Sequence, residues 1–372
     1  MVGKIPLTVL TGFLGSGKTT LLGGLLKTAA LADSAVLINE FGETGLDHHL
    51  VETPNLEETV VLDGGCVCCT IRGALAGALR TLYWQRHDGK VPRFARVILE
   101  TTGLASPGPL LQELLQHPTI LQHYRLAGVV VCIDGVFGLG QLESQLEAAQ
   151  QAAVADRLLI TKADLIDDQQ RQALVTRLMA INPGAELGFV RDGVPDGAVI
   201  DDGACYDPLS KKLDVQRWLR AEHYRPVEVR RGKGFSRSKI STGDANRHGP
   251  DIQAFCLRFD TPLPWDALMT ALEVIGALRC DQLLRVKGIV DAQGETRPLV
   301  VHGVHNMLYP PTTLQAWPDG RRGTQLVFIV RNTEPEFIAH TLDYFLSGAQ
   351  AGVPLSTATL PSLPSDEGRL SA

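Results

Sequence analysis

No apolar run in this chain approaches the ~20 residues needed to span a bilayer. Basic residues are not in excess either. Lys and Arg total 35 against 41 Asp and Glu, a formal charge of −6, which gives no electrostatic case for binding nucleic acid or an anionic membrane. No repeat of solenoid period appears. Cysteine is sparse and odd in number, seven in 372 residues, and three fall within four positions, which argues against a secreted disulfide framework. Met1 to Lys4 run straight into a strand pattern with no basic and apolar leader ahead of it, so the expected compartment is the cytoplasm. What remains is an ordinary globular composition, 44% apolar and 20% charged, in a chain long enough for two units with separate cores.

The segment that organises the rest is Gly12-Phe13-Leu14-Gly15-Ser16-Gly17-Lys18-Thr19-Thr20. It lies between a strand pattern, Ile5–Leu10, and a helical one, Thr19–Ala30, and matches G-x-x-x-x-G-K-[ST] in full. Gly12, Gly15 and Gly17 let the backbone wrap a phosphate chain, and the N–H groups from Ser16 to Thr20 face the anion at a helix N-terminus. Lys18 is expected to reach the β- and γ-phosphates and the Thr19 hydroxyl to hold Mg²⁺. A nucleoside triphosphate is the implied ligand.

Apolar runs of strand length alternate with helical patterns as far as about residue 200. The strand runs are Ile5–Leu10, Ala35–Ile38, Thr59–Leu62, Arg96–Leu99, Ala127–Ile133, Arg157–Ile160 and Glu186–Val190. Helices are predicted near Ile71–Gln85, Pro109–Leu115, Glu143–Ala153 and Asp168–Ile181, the last capped by Asp167 or Asp168. Continuous Val/Ile-rich runs are those of strands covered on both faces, so the fold class is α/β, a P-loop NTPase with a mostly parallel sheet and flanking helices. The expected division is a nucleotide domain over 1–225, a linker over 226–251, a smaller C-terminal α+β domain over 252–346, and a disordered tail over 347–372. Within the second unit, strands are predicted at Ala254–Phe259, Leu283–Val290, Thr296–Val304 and Leu326–Arg331, with helices at Pro264–Ala277 and Glu334–Leu346.

Two more strand ends carry chemistry. Thr161-Lys162-Ala163-Asp164 closes the run Leu158–Ile160, where the Asp164 carboxylate can accept N1–H and the exocyclic amine of guanine, a donor pair adenine lacks. Leaving such an acceptor unpaired costs about 1–3 kcal/mol, enough to favour GTP, and the Lys162 stem would lie along the purine. Glu100-Thr101-Thr102-Gly103 ends another strand, so Glu100 faces the ligand edge of the sheet. Glu100 could orient a water, and the Gly103 N–H could touch the γ-phosphate. A P-loop kinase or ATP-dependent transferase is the rival from another class, and a scaffold with a merely structural nucleotide is a further one.

Gly64-Gly65-Cys66-Val67-Cys68-Cys69 lies between these motifs. In an extended segment Cys66 and Cys68 project to one side, and Cys69 joins them through a turn. Three thiolates and one more ligand suit Zn²⁺ or Cu(I). A redox dithiol and inert buried thiols are the competing readings. His302 and His305, on one strand-like segment, read as surface or satisfied histidines rather than ligands.

With Asn39-Glu40-Phe41-Gly42, these segments in this order resemble the CobW family of P-loop GTPases over residues 4 to 346. Arg285-Val286-Lys287-Gly288 and the Trp317–Arg331 stretch resemble that family's C-terminal domain. The resemblance implies a GTPase that binds GTP, Mg²⁺ and Zn²⁺, and a zinc metallochaperone that passes metal to a client metalloprotein. A cobalt-handling GTPase, of the cobalamin-synthesis or nitrile-hydratase type, is the alternative it leaves, and a redox-sensing nucleotide switch is another. Cys66, Cys68 and Cys69 map to the metal triplet and Glu40 to the fourth ligand; a second copy of the chain is allowed for as a partner. Two departures are Thr161, where many GTPases have Asn, and Ser106, where the family often has Asp. The linker holds only His248 in place of a His-rich run.

Overall fold

The computed structural model describes residues 4–28, 31, 33–39, 60–62, 74–195, 219–227 and 252–350. Among the described residues eight strands form the first sheet: β1 (Ile5–Gly12), β2 (Ser34–Asn39), β3 (Val60–Leu62), β4 (Arg96–Thr101), β5 (Tyr124–Asp134), β6 (Arg157–Thr161), β7 (Glu186–Arg191) and β8 (Val194–Pro195). Their order is β3-β2-β4-β1-β5-β6-β7-β8, all parallel except β8, which turns back on β7. The order reverses at β1, which has β4 on one side and β5 on the other. In such a sheet the crevice beyond the carboxyl ends at the reversal is where a ligand binds.

Among the described residues seven α-helices belong to this half: α1 (Lys18–Leu26), α2 (Ala74–His87), α3 (Pro107–Gln116), α4 (Pro118–His123), α5 (Gly138–Ser144), α6 (Leu146–Val154) and α7 (Asp168–Ile181). Leu21, Leu22 and Leu25 of α1 pack with Leu10, Ile98, Val130 and Leu159 on one face, while Leu7 and Val9 join the cluster on the other. The expected helix Pro109–Leu115 is α3, with an additional helix α4 after it, and the expected Glu143–Ala153 is divided between α5 and α6. His117 is extended because it precedes Pro118, which disfavours the α region and separates α3 from α4. Gln145 is extended between α5 and α6, and the turn sets Ala148, Ala149, Ala152 and Ala153 into the core. Asp167 caps α7 in a capping box with Gln170.

The second sheet contains β9 (Arg225–Val227), β10 (Ile252–Phe259), β11 (Leu283–Val290), β12 (Leu299–Val304), β13 (Met307–Leu308), β14 (Thr312–Thr313) and β15 (Thr324–Arg331). Its order is β13-β12-β11-β15-β10-β9, with β14 on β12; only β9, alongside β10, pairs in parallel. Residues 225–227 thus belong to this sheet. Helix α8 (Trp265–Leu278) starts after Pro264, and α9 (Pro335–Gln350) runs past Leu346. Period-2 alternation sorts the strands' two faces. Phe255, Leu257, Val286, Leu326, Phe328 and Val330 pack with α8 and α9. Ile252, Cys256, Leu284, Ile289, Val327 and Ile329 join the core of the first unit. The two sheets therefore share one continuous apolar core across α6 and α7. Among the described residues no helix is long and apolar enough to cross a membrane.

Candidate nucleotide site

The site is built at the carboxyl edge of β1, β4, β5 and β6. Gly12, Gly15 and Gly17 have φ of 146, 71 and 78°, the left-handed region that only glycine enters without strain. Gly12 has a second constraint: a Cβ there would overlap the Cys132 carbonyl oxygen and lie 2.7 Å from Ser16 Oγ. Adding a backbone strain of ~1–3 kcal/mol to an overpacking of ~1–3 kcal/mol, Gly12→Ala should cost about 2–6 kcal/mol of stability. Chemical denaturation checks this, and a loss below about 1 kcal/mol would contradict it. The neighbouring Cys132 is an inert core thiol, pushed up to about 12 by burial.

The loop closes on itself and on its neighbours. Ser16 N–H donates to Phe13 O (3.2 Å) and Leu21 N–H to Gly17 O (2.9 Å). Lys18 Nζ arcs back over the loop and donates to Gly12 O (2.9 Å) and Phe13 O (3.2 Å), which holds its ammonium group against the loop backbone. The Thr161 hydroxyl lies between Ser16 O (2.8 Å) and Ile133 O (3.1 Å). The threonine at the end of β6 thus ties that strand to the P-loop backbone. Ser16 Oγ is buried, and no partner for it stands among the described residues.

Glu100, near the end of β4, is buried and accepts a hydrogen bond from Thr19 Oγ1 at 2.7 Å. Beside it Thr101 Oγ1 donates to Thr11 Oγ1 at 2.6 Å. The turn that follows packs backbone on backbone: a Cβ on Gly103 would lie 2.7 Å from Leu14 N. Here glycine is required by close approach rather than by φ. The P-loop and the Glu100–Gly103 turn therefore touch.

Lys162 has φ 53°, an uncommon conformation for a side-chain-bearing residue. Its Nζ pairs with Asp134 Oδ2 at 2.6 Å. Asp134 Oδ1 in turn accepts from Val136 N (2.8 Å) and Phe137 N (3.0 Å), which fixes the turn into α5. Asp164 is exposed at the end of β6, with Oδ1 3.4 Å from Asp192 N. Thr20 is exposed on the first turn of α1.

Comparison with known proteins decides the family. The profile described as CobW/HypB/UreG, nucleotide-binding domain, matches residues 6–188, and that of the cobalamin synthesis protein cobW C-terminal domain matches 252–346. The chain belongs to the CobW/HypB/UreG family of P-loop GTPases. A relative from Escherichia coli, the zinc chaperone YjiA, is 31% identical over 328 residues, 88% of this chain and 94% of its own. A zinc-regulated GTPase metalloprotein activator of Schizosaccharomyces pombe is 35% identical over 190 residues, 49% of this chain and 45% of its own. The crystal structure of Zn(II)-bound YjiA GTPase superposes with a TM-score of 0.63 at 26% identity, covering 92% of this chain and 99% of that one.

In this CobW-family chain Glu40, Cys66, Cys68 and Cys69 lie outside the described residues. Among the described residues no group of three or more His, Cys, Asp or Glu could hold a metal ion. The strands that lead to these positions are visible: Asn39, the last residue of β2, is level with Thr101 of β4 and with Leu62 of β3. His302 and His305 are both buried. His302 stacks on Tyr309 with ring centroids 4.1 Å apart and lies 3.3 Å from Arg285 Nη2. Sequence reasoning missed Gln151, Asp134 and the Arg285–Asp156 cluster, since each acts on a residue far away in the chain.

Proposed function

We propose that this GTPase is a zinc metallochaperone. It holds Zn²⁺ at Cys66, Cys68 and Cys69 with Glu40, and passes the metal to a client metalloprotein under the timing of GTP. The observation that carries this reading is the packing of the Glu100–Gly103 turn on the P-loop, on the sheet edge from which the Glu40 and Cys66 segments depart. Four residues beyond Leu62, Cys66 can lie at most about 14 Å from the end of β3. Relatives named zinc chaperone and zinc-regulated GTPase metalloprotein activator support the metal and the client.

The residues divide the work as follows. The amides of the Gly12–Thr20 loop and Lys18 bind the phosphates, and Asp164 accepts the two guanine donors with Lys162 beside the purine. Thr19 and Glu100 present hard oxygens 2.7 Å apart, a donor pair suited to Mg²⁺, which when bound neutralises charge on the β- and γ-phosphates. Glu100 orients the water that attacks, and the Gly103 N–H registers the γ-phosphate. Hydrolysis then relaxes the Gly103 turn and the segments beside it.

Magnitudes limit what the nucleotide can do. Coupling between two sites is typically ~1–3 kcal/mol, against ~10–16 kcal/mol for a thiolate zinc site. GTP therefore cannot expel the ion, and a client must offer competing ligands while GTP governs timing. The test is competition with a chromophoric zinc chelator. Cys68→Ser should weaken Zn²⁺ binding by tenfold or more with GTP turnover retained. Exchanging GDP for a non-hydrolysable GTP analogue should shift zinc affinity of the parent by about 5–150-fold. Unchanged affinity in either comparison would overturn the reading.

A further inference from the structure

Gln151 is an amide in an otherwise alanine-rich stretch of α6, and it is completely buried. A polar group in that position persists where its hydrogen bonds are needed. Its Nε2 donates to two carbonyls of one turn, Gly103 O at 3.1 Å and Ala105 O at 3.0 Å. That turn is closed by Ala105 N–H on Thr102 O at 3.2 Å. Its outer side carries the exposed Leu104, and its inner side rests on Leu14 of the P-loop. Gln151 and Leu14 thus hold the same turn between them. The helix that carries Gln151 is itself fixed, since the carbonyl of its last residue, Val154, accepts from Arg285 of β11.

We propose that Gln151 is a positioning residue for GTP hydrolysis: it holds the Gly103–Ala105 turn in the register at which the turn meets the γ-phosphate. The proposal rests on the reading of the Glu100–Gly103 segment as the γ-phosphate sensor. A glycine turn without this anchor samples many conformations, and misplacement by about 1 Å is enough to slow a positioned reaction by ~100-fold. Ground-state contacts to the guanine base and to the α- and β-phosphates lie elsewhere, so affinity for GDP should not move.

The experiment uses the full chain with Gln151→Met, which keeps length and removes both donors. Its kcat for GTP should fall about 10–100-fold, while affinity for GDP stays within about threefold of the parent. Equal losses in kcat and in GDP affinity would mean a structural role alone and would overturn the proposal. Gln151→Glu supplies a readout that packing cannot mimic. As a carboxylate it faces two carbonyl oxygens and repels the turn; once protonated it can donate again. Burial raises such a pKa, so its kcat should recover as pH falls from 8 to 6 while the parent shows no such rise. A pH profile parallel to the parent's would overturn the proposal. Glu100→Gln, assayed beside them, separates the two claims. Lost turnover there with full turnover in Gln151→Met would sink the proposal alone, and full turnover in Glu100→Gln would sink the sensor reading and the proposal with it.

Discussion

Replacing Lys18 by alanine should lower GTP turnover by about 10²–10³-fold. Phosphoryl transfer leaves little covalent work to the protein, so the rate comes from positioning and from charge placed where the transition state gathers it. Lys18 is a compact ammonium with three donors, and its bonds to Gly12 O and Phe13 O hold it over the loop. On the proposed role, the rate is raised by a charge already in place, with little reorganisation during the reaction. Removing one preorganised group of this kind typically costs ~2.7–4 kcal/mol of barrier. The fold should tolerate the change, because the side chain lies at the edge of the sheet and is only half-buried. Lys18→Arg should not restore the rate, since a planar fork cannot take the place of a point charge. Single-turnover hydrolysis at saturating GTP measures the effect, and turnover above half the parent rate in Lys18→Ala would refute the role.

What the sequence made legible and what it hid differ in range. The P-loop, the Glu100 turn and the Thr161–Asp164 turn are each local: a strand run, a glycine or a carboxylate at its end, and a helix after it. The parallel strands were readable because burial on both faces removes the alternation of a half-exposed strand. The breaks at His117 and Gln145 were harder. A proline at 118 announces the first, while the second answers only to where α6 must lie against the sheet. Gln151 could not be read at all, because its partners are 46 and 48 positions away and nothing in its own helix distinguishes it from a solvent-facing residue. The partners of Arg285 and Lys287 were equally out of reach: a strand was legible at Leu283–Val290, but not that β11 is buried along its whole length with their face against the first unit.

Arg285→Met should cost about 3–5 kcal/mol at pH 7 and, at the same time, make the protein less sensitive to mild acid. Arg285 reaches across the shared core from β11, donating to Val154 O and to Asp156 Oδ1, with Lys287 Nζ 3.4 Å from the same oxygen. Asp156 Oδ2 accepts from Val129 N at 3.0 Å. Burial works against ionising Asp156, but Arg285 and then Lys287 outweigh it and hold the carboxyl well below its usual range. Deleting the guanidinium leaves this buried charge undercompensated, and breaking a pair in that way is what carries the large penalty. A carboxyl with a depressed pKa contributes stability above its unfolded value near 3.8, and this is lost only as pH falls below that. Asp156 is therefore silent between pH 7 and 5. The buried histidines His302 and His305 act in that window, and burial lowers the pKa of both; of the two, His302 is the one that faces Arg285. For His302, burial first and then the Arg285 charge push the pKa well below the ordinary 6.5, so the unfolded chain takes up a proton that the folded one refuses. Stability should then fall as pH drops below about 6.5, by up to ~1.4 kcal/mol per unit for each such histidine. Without Arg285, His302 faces Asp156 with one repelling cation fewer, its folded pKa rises, and the slope flattens. Urea denaturation of parent and variant at pH 7, 6 and 5 reads both effects. A loss under 1 kcal/mol at pH 7, or an unchanged acid slope, would show that this cluster does not couple the two sheets.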